Sequence, residues 1–318
     1  MIAISHKTKQ YLLVTAKVLI IGLTFGYIFY KISYTKSLGF SEFKATIAAQ
    51  ASVSGYLLLL FLVLAAANWY FEILKWQSLV SVIQKMNFQT AMKQSLASLT
   101  VSLATPNRIG EYGAKALFFE NSKRKKVLLL NFFSSGSQML VTTLFGILGL
   151  LYFLRNFNVA YSVKTLCYFG IGVILLFAIG YYFKEKELLM KGFSFSKVFQ
   201  FFKQIPFRIK RNVLLFSMFR YIIFSGMFYG LLQFFGAEIA FFDAMLLIFT
   251  MYFLVSIVPT FFIFDVVIRG GVAVWLFSFV NVSEFAVLAT VLTIWIFNFV
   301  LPALLGSFYV LTYQPTTR

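Results

Sequence analysis

Long apolar stretches, many near or above twenty residues, are separated along this chain by short polar or basic segments. A helix needs about 20 such residues to cross a hydrocarbon core. The pattern predicts spanning helices near residues 11–30, 47–71, 127–154, 165–183, 212–235 and 285–313. Two further apolar regions, 88–119 and 243–282, are interrupted near the middle, the first at Pro106 and the second between Pro259 and Arg269. Each reads either as a re-entrant hairpin of two half-helices or as a kinked full span. Broken elements in corresponding positions are the usual sequence pointer to a transport site. The ten-residue alternation of an outer-membrane barrel is not seen. The expected fold is therefore an all-α polytopic integral membrane protein, with about six to eight transmembrane helices and two broken elements. It forms a single membrane domain over 1–318.

Composition agrees with a bilayer as the solvent. The 318 residues are 60% hydrophobic and 12% charged, with 42 Phe, too few charges to cover a soluble surface of this size. The net charge of +18 would suggest nucleic acid in a soluble protein. Here the Lys and Arg crowd the loops, where they set topology and meet anionic headgroups, and no nucleic-acid partner is expected. Cys167 is the only cysteine and His6 the only histidine. An intrachain disulfide, a thiolate metal site and a His-containing triad are thereby excluded within the chain, and no cofactor is expected.

Loop charge gives the orientation. Residues 184–211 hold eight Lys/Arg against Glu185 and Glu187, and Lys123 to Lys126 form a second basic cluster. Both should be cytoplasmic, with 184–211 meeting anionic lipid headgroups. The intervening loop has only Arg155 and Lys164, and 236–242 has no basic residue, which fits the outside. The N-terminus is then cytoplasmic, with Tyr11 to Tyr30 an uncleaved anchor in the cytoplasmic membrane. Loop 31–46, carrying Lys31, Lys36 and Lys44, falls outside against the rule. With both broken regions as hairpins, the first enters from the cytoplasm and the second from outside, an inverted arrangement that returns the C-terminus to the cytoplasm. With 243–263 as a full span, the C-terminus is outside.

The breaks hold the candidate chemistry. Thr105-Pro106 is a helix-start signal, a hydroxyl at the N-cap and proline in the first turn. From there Arg108, Glu111 and Lys115 share one helical face, with Gly110 and Ala114 close by to admit another backbone. The half-helix N-terminus with Pro106, Asn107 and Arg108 suits an anion such as phosphate. Glu111 could bind a cation or proton, or orient Arg108. The alternative is an Arg–Glu–Lys network that neutralises itself. In the second break, Pro259 precedes Asp265 and Arg269, an acid-first i,i+4 pair followed by Gly270-Gly271. Buried alone, either charge would cost ~2.5–3.5 kcal/mol, so they are expected to pair, as a functional couple or a structural bridge.

Other polar positions have two readings each. Phe195, Val198, Phe199, Phe202 and Ile205 share a face of a short amphipathic helix, with Phe201 out of place. That helix is expected to lie on the cytoplasmic leaflet. Arg220 either lines a path or snorkels to the membrane edge, and snorkelling is the simpler expectation. Asn131, Ser134, Ser135 and Gln138, and likewise Asn298, are most simply helix–helix hydrogen-bonding groups.

Pro106-Asn107-Arg108-Ile109-Gly110-Glu111, followed by a small residue and a basic one, resembles the P-G-x-x-G-E motif of a flippase-like membrane family. That family includes the transmembrane region of lysylphosphatidylglycerol synthases. Val258-Pro259 to Arg269-Gly270-Gly271 sits where the family carries its second motif. Asn107 replaces the usual glycine, and Asp265 and Arg269 are approximate equivalents of that motif's Arg-Glu. The resemblance implies translocation of an anionic phospholipid or lipid-linked molecule. It argues against lysyl transfer, because no aminoacyl-transferase domain follows the membrane region. The rival readings are a membrane-embedded lipid-modifying enzyme and a non-catalytic subunit of a cell-envelope assembly.

Overall fold

A computed structural model describes residues 40–103, 105, 109–157, 194–257 and 265–313. The expected helices at 11–30 and 165–183 lie outside these residues, as do loop 155–164 beyond Phe157 and residues 184–193 of the basic segment. The described chain is helical: α1 (Phe40–Val80), α2 (Phe88–Leu103), α3 (Ile109–Leu117), α4 (Asn121–Asn156), α5 (Phe195–Gln204), α6 (Phe207–Phe234), α7 (Phe241–Ile257), α8 (Asp265–Ser278), α9 (Glu284–Trp295), a π-helical turn (Ile296–Val300) and α10 (Leu301–Leu311). Four stretches are long and apolar enough to cross a membrane: Gly55–Val80, Asn121–Asn156, Phe207–Phe234 and Glu284–Leu311. This is a multi-pass, all-helical membrane protein.

Helix ends extend past the expected spans because charge does not stop a helix. The first runs nine residues beyond 71, carrying Glu72 and Lys75 inside it. The second takes in the basic cluster and reaches 36 residues, about 54 Å at 1.5 Å per residue. It outreaches a hydrocarbon core of about 30 Å, so its Lys-rich start projects from the membrane. Arg208, Lys210 and Arg211 likewise belong to the start of α6 rather than to a loop.

Three apolar clusters of described residues hold the bundle. In one, Trp76, Leu79 and Val80 at the end of α1 pack with Val127 and Leu130 at the start of α4 and Val213 at the start of α6. This layer adjoins the basic residues of 123–126 and 208–211 and is called the basic face here. Ala91 in the first turns of α2, Ala116 at the end of α3 and Phe119 just beyond it join the same layer. The first broken element therefore enters and leaves on one face and is a re-entrant hairpin. Its tip lies deep, where Leu99 and Leu103 meet Ala303 and Trp69.

The second broken element is the counterpart from the far face. Asp243 near the start of α7 accepts a hydrogen bond from Tyr152 near the end of α4, at 2.6 Å. Trp275 in α8 and Phe279 just beyond it close on Phe153 of the same helix end, with ring centroids at 5.4 and 5.3 Å. The hairpins thus enter from opposite faces, as the inverted arrangement expected. The last helix starts at the far face, where Phe235 meets Phe285. It finishes at the basic face, where Tyr313 donates to the Leu117 carbonyl at 2.7 Å.

Glycine sets the closest approaches. A Cβ on Gly149 would collide with the Leu246 carbonyl and Thr250 of α7, and one on Gly306 with the Leu96 carbonyl and Thr100 of α2. Each hairpin's first half-helix is held by an antiparallel spanning helix at such a contact.

One expectation about the surface is corrected. In α5 the inward stripe is Val198, Phe201, Phe202 and Ile205, spaced three and four apart. Phe201 belongs to this buried face, and Phe202 lies against Phe133 at 5.2 Å. Phe199, 73% exposed, is the residue turned away. Ser194 caps the helix by accepting from the Lys197 N–H.

Candidate functional site: a cationic cavity between two re-entrant hairpins

Helical spacing sets Asn68, Glu72, Lys75 and Trp76 along one side of α1, facing the bundle interior. The buried Glu72 carboxylate is the hub. It pairs with Arg220 of α6, with Lys75 at 2.8 Å and, more distantly, with Lys115 of α3 at 3.9 Å. Lys115 is 1% exposed and is held by Glu111 at 2.7 Å, by the Asn131 side-chain oxygen at 2.9 Å and by the Trp76 ring, 4.4 Å from the centroid. The arginine also donates through Nε to Asn68 at 3.0 Å. Burying this many charges is tolerable only because each is paired, Glu72, Lys115 and Arg220 with several partners.

The deep wall depends on a broken helix. Pro302 lacks the N–H that would bond the Asn298 carbonyl one turn earlier. That carbonyl instead accepts from the Trp69 indole at 3.0 Å, and the chain takes a π-helical turn around the buried Asn298. The Asn298 side chain is fixed by Asn68 at 2.8 Å. Helices of this kind recur at functional sites because the freed groups are available for bonding.

Together these elements enclose a cavity of about 710 Å³. Four basic side chains line it, Lys75, Lys115, Arg220 and Arg269, against two carboxylates, Glu72 and Glu111. Ser95 and Tyr252 also line it, and both are buried with hydroxyls that have no hydrogen-bond partner among the described residues. Ser135 and Met139 belong to the lining and are also exposed on the flank of α4, so the cavity has a lateral opening. Buried, open donors beside surplus positive charge fit an anionic group that brings its own acceptor oxygens. Among the described residues no cluster of three or more His, Cys, Asp or Glu could hold a metal ion.

The residues singled out from the sequence are distributed unevenly. Glu111, Lys115 and Arg269 line the cavity. Gly110 sits at the hairpin turn, where its N–H donates to the Thr105 hydroxyl at 2.8 Å and a Cβ would strike Thr105 and the Val101 carbonyl. The described part of α3 starts at Ile109, so Thr105 caps it through Gly110. Asp265 opens α8. Pro106, Asn107, Arg108 and Pro259 lie outside the described residues.

Arg220 corrects an expectation: it turns into the cavity and pairs with Glu72 rather than snorkelling. Ser134, Ser135 and Gln138 line the cavity too, beyond any role between helices. Asn68, Glu72 and Lys75 are not among the residues expected from the sequence: Glu72 and Lys75 lie beyond the expected span, which ends at 71, and Asn68 is an isolated polar residue within it. Their i, i+4, i+7 spacing was the available signal.

No curated protein and no solved structure matches the chain. A family model described as the lysylphosphatidylglycerol synthase TM region matches residues 14–306, nearly the whole length. The chain belongs to the lysylphosphatidylglycerol synthase transmembrane-region family.

Proposed function

We propose that this protein moves an anionic phospholipid or lipid-linked molecule across the cytoplasmic membrane, with the headgroup held in the central cavity. The observation that carries this reading is the excess of four basic side chains over two carboxylates in a cavity lined by both hairpins. The headgroup exchanges water for Arg269, Arg220 and Lys115, while its acyl chains stay in the bilayer through the opening at Ser135 and Met139. Arg108 and the start of the first hairpin's second half-helix add to this anion site. Glu111, Asp265 and the Glu72 hub adjust the charge as the headgroup moves. Lys/Arg excess makes the basic face cytoplasmic and puts α5, with its Lys197 and Lys203, against anionic headgroups of that leaflet. Membership of a lipid-related family supports the class of substrate.

Reconstituted vesicles test this. Purified protein should speed the transbilayer movement of a fluorescent phosphatidylglycerol, read by quenching from one side with dithionite. Arg269→Gln should slow it at least about tenfold, the scale of one lost charge-assisted hydrogen bond. The reading fails if the parent moves phosphatidylglycerol no faster than protein-free vesicles, or if Arg269→Gln is as fast as the parent. Recovery of a chemically altered headgroup would establish the enzyme reading instead.

A further inference from the structure

The closest helix contacts follow one template twice. In α7, Thr250 donates to the Leu246 carbonyl at 2.8 Å, and Gly149 of the antiparallel α4 sits against both residues. In α2, Thr100 donates to the Leu96 carbonyl at 3.3 Å, and Gly306 of the antiparallel α10 sits against both. A shift of 150 residues carries Leu96 to Leu246 and Thr100 to Thr250, and a shift of 157 carries Gly149 to Gly306. Helices α1 and α6 also run antiparallel, with Phe61 against Gly230 at one end and Phe71 stacked on Phe219 at 5.2 Å further along. A two-fold axis relating the halves would pass beside this crossing, next to the Glu72–Arg220 pair.

The same shifts carry Asp243 to Lys93 and Tyr152 to Tyr309. At the far face Tyr152 and Asp243 are joined at 2.6 Å. At the basic face Lys93 and Tyr309 line a separate pocket of about 300 Å³. The pair is joined at the far face, whereas its symmetry mates at the basic face line a pocket. From this we infer that the two halves are inverted repeats that exchange conformations, giving a second state in which the central cavity opens to the far face. The Tyr152–Asp243 bond is the gate that holds the far face shut. What crosses depends on the transport reading above; the exchange of access does not.

Replacing an acid by a lysine at one of two symmetry-related places explains the bias. With an acid at position 243 and a base at 93, only the far face can form the tyrosine–carboxylate clasp. Asp243→Asn weakens that clasp, and Lys93→Asp supplies the missing carboxylate at the basic face opposite Tyr309. Both changes favour the same second state, although they lie at opposite ends of the molecule.

The experiment uses the full chain in a Cys167→Ser background, with Thr142→Cys as a cavity reporter and an impermeant thiol reagent applied from either side of vesicles. In the parent, labelling is expected from the basic face. Asp243→Asn should raise far-face labelling about tenfold or more, as expected for loss of a hydrogen bond to a charged group. Basic-face labelling should fall in the same variant. Lys93→Asp should shift both rates the same way, and Tyr309→Phe in that background should reverse it. Rates that rise together from both faces would show simple loosening and overturn the exchange. Unchanged far-face labelling in both variants would overturn it too. Alternating access without movement of phosphatidylglycerol would leave the exchange standing and remove the lipid reading.

Discussion

A buried carboxylate that serves two cations is a different object from one that serves a single partner at a cavity edge, and Glu72 and Glu111 make the contrast. The side chain of Glu72 is 11% exposed and binds both Lys75 and Arg220; that of Glu111 is 27% exposed and binds Lys115. Removing the Glu72 charge strands two basic groups in an apolar setting, so Glu72→Gln should destabilise the fold by about 3–5 kcal/mol. Glu111→Gln leaves Lys115 with Asn131, the Trp76 ring and the Glu72 field, and should cost under about 1 kcal/mol. Thermal unfolding in detergent separates them. Equal losses in the two variants would mean that the cavity-edge pair is as structural as the hub. Equal tolerance would mean that the hub is not one.

At the scale of elements, two glycines decide where half-helices sit. Gly306→Leu must push α10 away from the Leu96 carbonyl and Thr100, and Gly149→Leu must do the same between α4 and α7. Each should cost about 1–3 kcal/mol by overpacking. Gly226→Leu, where no atom lies within contact of a built Cβ, is the control and should leave the melting temperature near that of the parent. A control as damaged as the other two would refute the packing argument.

The elements were largely legible in the sequence, because apolar length and proline breaks report the membrane directly. Both broken regions and their Pro-centred interruptions were there to be read. Helix ends were not, since Glu72, Lys75 and Lys123 continue helices once tertiary partners satisfy them. The cavity was harder. Glu111, Lys115 and Arg269 stood out by sitting at breaks, whereas Arg220 lies in an unbroken apolar helix, where snorkelling and pairing leave the same trace. Only the packing of α1 against α6 brings it to Glu72. Phe201 falls on the inward face because α4 packs there, a contact that the spacing within α5 alone does not reveal.

For the molecule as a whole, opposed hairpins have an electrical consequence. The first hairpin reaches deep into the bundle at Leu99 and Leu103, and both hairpins contribute to the lining of the polar cavity, among others through Glu111 and Arg269. Water and polar groups respond to a field far more strongly than hydrocarbon does, so little voltage drops across them. The membrane potential is therefore concentrated over the remaining apolar plug of α7, α8 and the far ends of α4 and α6. A full crossing of one elementary charge is worth about 2.3 kcal/mol per 100 mV. An anionic headgroup leaving the cavity toward the far face would meet most of that drop within a short step. With the basic face negative, outward movement of fluorescent phosphatidylglycerol should accelerate several-fold in vesicles clamped by a potassium gradient and valinomycin. A zwitterionic analogue should not respond. A bundle built of uninterrupted spans would spread the same voltage over its full thickness; this one makes a thin capacitor of its far half.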